Sequence, residues 1–291
     1  MPVYNQTYRS YDGEVRRRFR WAVVVSHELG LATGSRLMRY LLIIASFHVF
    51  LRILFVVMFD SMASDPRSPI GLLVRNATFF NVDNRMFFDF LRFQGALVFM
   101  ILLVAGAGLI ANDKRHNLLE IYFAKPLTWW DYVLGKLGTL LALGLGLTLA
   151  PALLLIVIHI ILTPGAESLK DGAWWALRSL AFSLAIVVPM ALGILACSAT
   201  VRGERQAGLA ATLLLFIDWF FASMLSGMLH NRDILVLSLP TAIRRLGEIL
   251  FEQHRPVMDL PWTVALLAVG LVCAVALGIV VRVARRAERS V

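Results

Sequence analysis

Six stretches of about twenty residues run along the chain with almost no charge in them, each long enough to cross the hydrocarbon core of a bilayer as a helix. They cover 40–59, 93–111, 137–162, 180–201, 207–229 and 262–281. In hydrocarbon every backbone N–H and C=O has to be paired within the protein, which admits only helices and closed barrels. A barrel strand would read as about ten residues of alternating polarity. These runs are twice that length and unbroken. They predict an all-α integral membrane protein with six transmembrane helices. Composition agrees: 59% of the 291 residues are hydrophobic, only 16% are charged, and mean hydropathy is +0.74. A water-soluble chain of this size could not cover its surface with so few polar groups.

The net charge of +9 does not indicate nucleic acid, because the positive residues sit in the gaps between apolar runs. There they act as a topology signal. With the N-terminus inside, the inner segments hold 17 of the 28 Lys and Arg against eight acidic residues, while ten face ten on the outer side. Six spans then leave both termini in the cytoplasm. The basic cluster of Arg16, Arg17, Arg18 and Arg20 lies too far ahead of the first run for a cleavable signal peptide, so that run is expected to be a permanent span. Cys197 and Cys273 both fall in apolar runs and read as small hydrophobes.

The expected organisation is a cytoplasmic N-terminus over 1–39, a six-helix transmembrane domain over 40–283 and a basic cytoplasmic tail over 284–291. Residues 15–31 read as an interfacial amphipathic helix. The last outer loop, 230–261, contains a segment at 240–252 that places Leu239, Ile243, Leu246 and Leu250 on one helical face. This piece either dips into the outer leaflet or lies on it.

Three features inside the spans stand out. Gly138, Ala142, Gly146 and Ala150 repeat every four residues, a stripe that lets a neighbouring helix come close and that ordinary bundle packing explains. Pro151 and Pro189 predict kinks. Arg52 and Asp218 are the only acidic or basic residues well inside spans, and such charges are costly unless paired. Both lie about 17 Å from the inner end of their runs at 1.5 Å per residue, so they are expected to pair, either within a subunit or across a dimer.

The segment 112–126 is the most informative. Asn112 or Asp113 is suited to cap a helix start, Leu118, Leu119, Tyr122 and Phe123 form an apolar stripe, and Pro126 stops the helix. Thr128 and Asp131 have capping-box spacing for the next helix. A short amphipathic helix joined tightly to two spans can pass force from a soluble partner into a bundle, or it can simply rest on lipid. Gly135-Lys136 is no phosphate-binding loop, because it lacks both the upstream glycine and the following hydroxyl.

Asp113-Lys114-Arg115, Leu118-Leu119-Glu120, Lys125-Pro126-Leu127 and Asp131-Tyr132 with Gly135-Lys136 together resemble the coupling-helix region of ABC-2 type ABC transporter permeases, nearest to the NosY-like branch. Glu28 matches the acidic position of that family's N-terminal connecting helix. The resemblance implies a type V exporter-like permease fold in the bacterial inner membrane. It also implies a non-enzymatic subunit that pairs with a second permease copy or paralogue and with a cytoplasmic ABC ATP-binding subunit. No cofactor would be held by this chain, since ATP and Mg would sit on the partner. By the same resemblance, Asp113, Lys114, Arg115, Leu118, Leu119, Glu120, Tyr122 and Pro126 contact the ATPase, with Arg202, Glu204 and Arg205 as a second contact. Membrane lipid is the remaining partner, and no nucleic acid is expected.

Two other readings compete. A haem- or quinone-linked membrane anchor would need histidines at matched depth, whereas His48 and His159 differ by about 20 Å along their spans. A non-transporting ABC mechanotransmitter would share the scaffold. The residues do not name a cargo.

Overall fold

The computed structural model describes residues 20–63, 82–123, 127–253 and 260–289. Among them there is no strand, and the regular structure is nine α-helices and one 3₁₀ turn. The helices are α1 (Arg20–Thr33), α2 (Arg36–Ala63), α3 (Asn84–Arg115), α4 (Leu118–Phe123), α5 (Trp129–Leu162), α6 (Ala166–Thr200), α7 (Glu204–Leu229), α8 (Leu239–Leu250) and α9 (Trp262–Glu288). The 3₁₀ turn, Arg232–Leu237, precedes α8. Six of these helices, α2, α3, α5, α6, α7 and α9, are long and apolar enough to cross a membrane, and the protein is a multi-pass membrane protein. α2 and α3 extend beyond their apolar runs at both ends, α5, α6 and α7 only at the start and α9 only at the end, because a helix does not stop where its hydrophobicity does.

α3 and α6 are the most buried spans, and α2 and α7 the least. α3 packs along α6, α5 lies against both, and α9 lies on α6. Between helices in hydrocarbon the attraction is dispersion and hydrogen bonding, so close approach matters most. Gly106 supplies it at the α3–α5–α6 junction, where an added Cβ would stand 2.7 Å from Ile194 Cγ2 and 3.0 Å from Leu140 Cδ1. The expected small-residue stripe of α5 is not the face that packs within the chain. Ala142, Gly146 and Ala150 are exposed, a Cβ on Gly146 would meet nothing within 4 Å, and Gly138 touches Val25 of α1. The intrachain approach falls elsewhere around α5, at Gly135 against Val24 and at Gly144 against Val187.

Pro151 removes the N–H that would bond the Leu147 carbonyl. The fully buried Gln94 of α3 fills the gap, donating from Nε2 to Leu147 O at 2.9 Å while its Oε1 meets His48 Nδ1 at 2.8 Å. A second wedge lies nearer the termini. Ser198 Oγ donates to Ala107 O at 2.7 Å and accepts from Ile110 and Ala111 N–H at 3.0 Å, inside a ladder where Ala111 would ordinarily bond Ala107.

The expected pairing of Arg52 with Asp218 does not form within the chain. Asp218 Oδ2 instead accepts the Leu239 N–H at 2.7 Å and so caps α8, whose own N-cap Ser238 makes no side-chain cap bond. Arg52 has Asp89 of α3 as its opposing charge. The capping bond places the start of α8 level with the middle of α7, so 230–250 re-enters the bundle. Leu239, Ile243 and Leu246 are buried on the predicted face.

Candidate functional site

The residues singled out in the sequence gather where α1, the last turns of α3, α6 and α9, and the first turns of α5 and α7 converge. Asn112 and Asp113 do not open a new helix as expected. They are the last turn of α3, which runs to Arg115 and breaks at Asn117 (φ 55°) before α4 begins at Leu118. The reason is tertiary: Asp113 and Lys114 are held in that turn by partners far along the chain. The predicted capping box is present, with Thr128 Oγ1 accepting the Asp131 N–H and Asp131 Oδ2 accepting the Thr128 N–H, both at 3.3 Å. Pro126 lies outside the described residues.

At the centre is Lys136, 1% exposed. Its Nζ lies 2.6 Å from Glu28 Oε1 on α1 and 2.7 Å from Asp113 Oδ2 on α3. Tyr132, one turn earlier on α5, donates its hydroxyl to the same Asp113 oxygen at 2.8 Å. The rings of Tyr122 from α4 and Tyr132 lie 5.6 and 5.5 Å from the ammonium, close enough for cation–π attraction. One ammonium thus clamps four elements: α1, the end of α3, α4 and α5. Burial raises the Tyr122 phenol above its ordinary value and so keeps it neutral, an effect the ammonium offsets only in part.

Further ties radiate from this clamp. Lys114 Nζ donates to Ala199 O at 2.7 Å and caps the carbonyl end of α6, where a cation is favoured. Asn112 Nδ2 donates to Glu204 Oε2 at 3.1 Å, joining α3 to the start of α7. The Arg285 guanidinium lies 4.2 Å from the centre of the Trp129 ring, and the Trp129 N–H donates to Glu288 Oε1, so α9 is fastened to the start of α5.

The predicted coupling residues therefore divide. Asp113 is buried, Lys114 is half-buried, and Leu119 and Tyr122 pack on the core. Arg115, Glu120, Arg202, Glu204 and Arg205 are exposed, and Leu118 is half-buried. Lys136 and Tyr132 enter the sequence reading only through the resemblance, although a lone lysine early in an apolar helix demands a partner. Their arrangement offers no nucleophile–base pair and, among the described residues, no group of three or more His, Cys, Asp or Glu able to hold a metal. What it does offer is stiffness. His48 and His159, weighed for a shared iron, are apart: His48 bonds Gln94, and His159 Nδ1 lies 2.8 Å from Asp60 at the opposite end of the bundle.

No protein-family model matches the chain, and no curated protein matches it.

Proposed function

We propose that this protein is the membrane-spanning permease subunit of an ABC-2 type exporter, driven by ATP that a separate cytoplasmic subunit hydrolyses. The observation that carries the reading is the Lys136 clamp, which binds a short helix between two spans to an N-terminal amphipathic helix. Beside it, Arg115, Glu120, Arg202, Glu204 and Arg205 stand exposed from two loops at the same end. A load applied to α4 is then passed into α1, α3 and α5 together rather than absorbed by a soft loop. The mixed charges of the exposed five suit a polar protein surface more than anionic lipid alone, which would select only the basic ones. The positive-inside bias supports a cytoplasmic position for this end, and the membrane proposed is a bacterial inner membrane. A second copy or paralogue completes the transporter, and the docking helix of each copy meets one ATPase.

The test is co-purification of the chain from its native membrane with an ATP-binding subunit, followed by ATPase and transport assays in vesicles. Arg115→Glu with Glu120→Arg is expected to leave the bundle folded, weaken ATPase association at least tenfold, about 1.4 kcal/mol, and abolish transport. Wild-type association and transport in that variant would falsify the docking assignment. Purification of a working wild-type complex with no ATPase attached would remove the function itself.

A further inference from the structure

At the end opposite the clamp, a cavity of about 1430 Å³ enters the bundle between α3, α5, α6 and α8. It follows α6 from Glu167 to Arg178 and α3 from Asp83 to Arg92, about 16 and 14 Å at 1.5 Å per residue. The coupling function makes no use of it. A pocket for an apolar ligand is lined mostly by hydrophobic side chains, whereas carboxylates and guanidiniums dominate here. An acyl chain or apolar drug would strip water from those groups without replacing their hydrogen bonds.

A ligand of one charge sign gains little from so mixed a lining, six carboxylates against four guanidiniums. Three guanidiniums already face carboxylates: Arg178 with Glu252 at 2.5 Å, Arg244 with Glu248 at 2.8 Å and Arg85 with Asp89 at 3.8 Å. Paired charges cancel at a distance but keep most of their hydrogen-bonding capacity. A guanidinium has five N–H donors and a carboxylate about four acceptor sites, and each pair consumes only one or two. Among the described residues, Asp83, Arg92, Glu167 and Asp171 have no ion-pair partner, which adds further planar donors and acceptors to the lining. Trp174 is 59% exposed and shares the cavity wall of α6 with Glu167, Asp171 and Arg178. Its neighbour Trp175 is held in place by its indole N–H, which donates to Asn84 Oδ1 at 2.6 Å.

We infer that this cavity binds an uncharged, polyhydroxylated ligand, a saccharide of a few rings. Adjacent hydroxyls match the planar edges of carboxylate and guanidinium groups two bonds at a time, and the C–H face of a sugar ring lies on an open indole. The volume exceeds that of pockets for drug-sized molecules, about 300–1,000 Å³, and so favours an oligosaccharide over a single ring. The described lining residues all belong to this chain and lie away from the clamp, so binding needs no ATPase.

The full chain in lipid nanodiscs is titrated with uncharged saccharides of one to four rings while tryptophan fluorescence is followed. Glycoside detergents are avoided, because their sugar headgroups would compete. The chain has 7 Trp, so the signal is assigned with Trp174→Ala, and Asp171→Asn provides a second variant that leaves every ring in place. At least one saccharide is expected to saturate in the millimolar range, about 4 kcal/mol of binding, and to bind at least tenfold more weakly to both variants. Phosphocholine and a glycyl dipeptide are the zwitterionic probes. Saturation by no saccharide, tighter binding of either zwitterion, or unchanged affinity in Asp171→Asn each overturns the assignment. The readout uses neither ATP nor a partner, so its failure leaves the coupling function standing, and the reverse also holds.

Discussion

Lys136 carries a large cost alone and a small one in company. An ammonium buried in a bundle is tolerated only because Glu28 and Asp113 face it at 2.6 and 2.7 Å. Replacing it by methionine keeps the volume and leaves two carboxylates buried beside each other. Breaking a buried ion pair from one side costs about 3–5 kcal/mol, so Lys136→Met is expected to lower the unfolding temperature sharply. The triple variant Lys136→Met, Glu28→Gln, Asp113→Asn removes all three charges and should regain much of that loss. Thermal unfolding of the purified proteins measures both, and a triple variant no more stable than the single one would show that the charges are not coupled. The resemblance touches Glu28, Asp113 and Lys136 separately. It does not show that they meet, because their partnership spans 108 and 23 residues, beyond the reach of any local pattern.

Among elements, legibility follows the range of the forces that shape them. The capping box at Thr128 and Asp131 is local and could be read directly. The start of α4 could not, because Lys114 reaches Ala199 and Tyr132 reaches Asp113, and these bonds hold 112–115 in the preceding helix. Asp218 misleads for the same reason: its partner is a backbone N–H that arrives only when 230–250 folds back into the bundle. Pro151 is legible as a break but silent about its repair. Gln94→Leu removes the donor that serves the orphaned Leu147 carbonyl. The expected loss is about 1–2 kcal/mol, at the upper end for interhelical hydrogen bonds in membranes, since the carbonyl is left bare. Pro151→Ala should suppress it, because an alanine N–H can bond Leu147 O again. A double-mutant cycle on unfolding free energy checks this, and additive effects would refute the repair.

For the whole molecule, the number and length of the spans follow from hydropathy, whereas their arrangement does not. Which helices form the centre depends on small residues and wedges such as Gly106 and Ser198. α2 and α7 are left at the periphery with long apolar faces. Orientation is the whole-molecule property on which the coupling proposal depends, because the clamp must face the ATPase. An even number of spans puts α1 and the last turn of α9 at one end, and the excess of Lys and Arg predicts that this end is the cytoplasmic one. The bias is large in the segments beside the spans, where it acts most strongly. Single cysteines at Ser168, half-buried on the cavity wall, and at Arg115, exposed at the opposite end, report it once Cys197 and Cys273 are replaced by alanine. A membrane-impermeant maleimide added to intact spheroplasts is expected to label the Ser168→Cys protein. It should reach the Arg115→Cys protein only after the membrane is opened. Labelling in the reverse order would place the Lys136 clamp outside, out of reach of any cytoplasmic motor, and would turn the cavity toward the cell interior. The bundle would be unchanged in either case, because its packing is indifferent to which side of the membrane holds ATP.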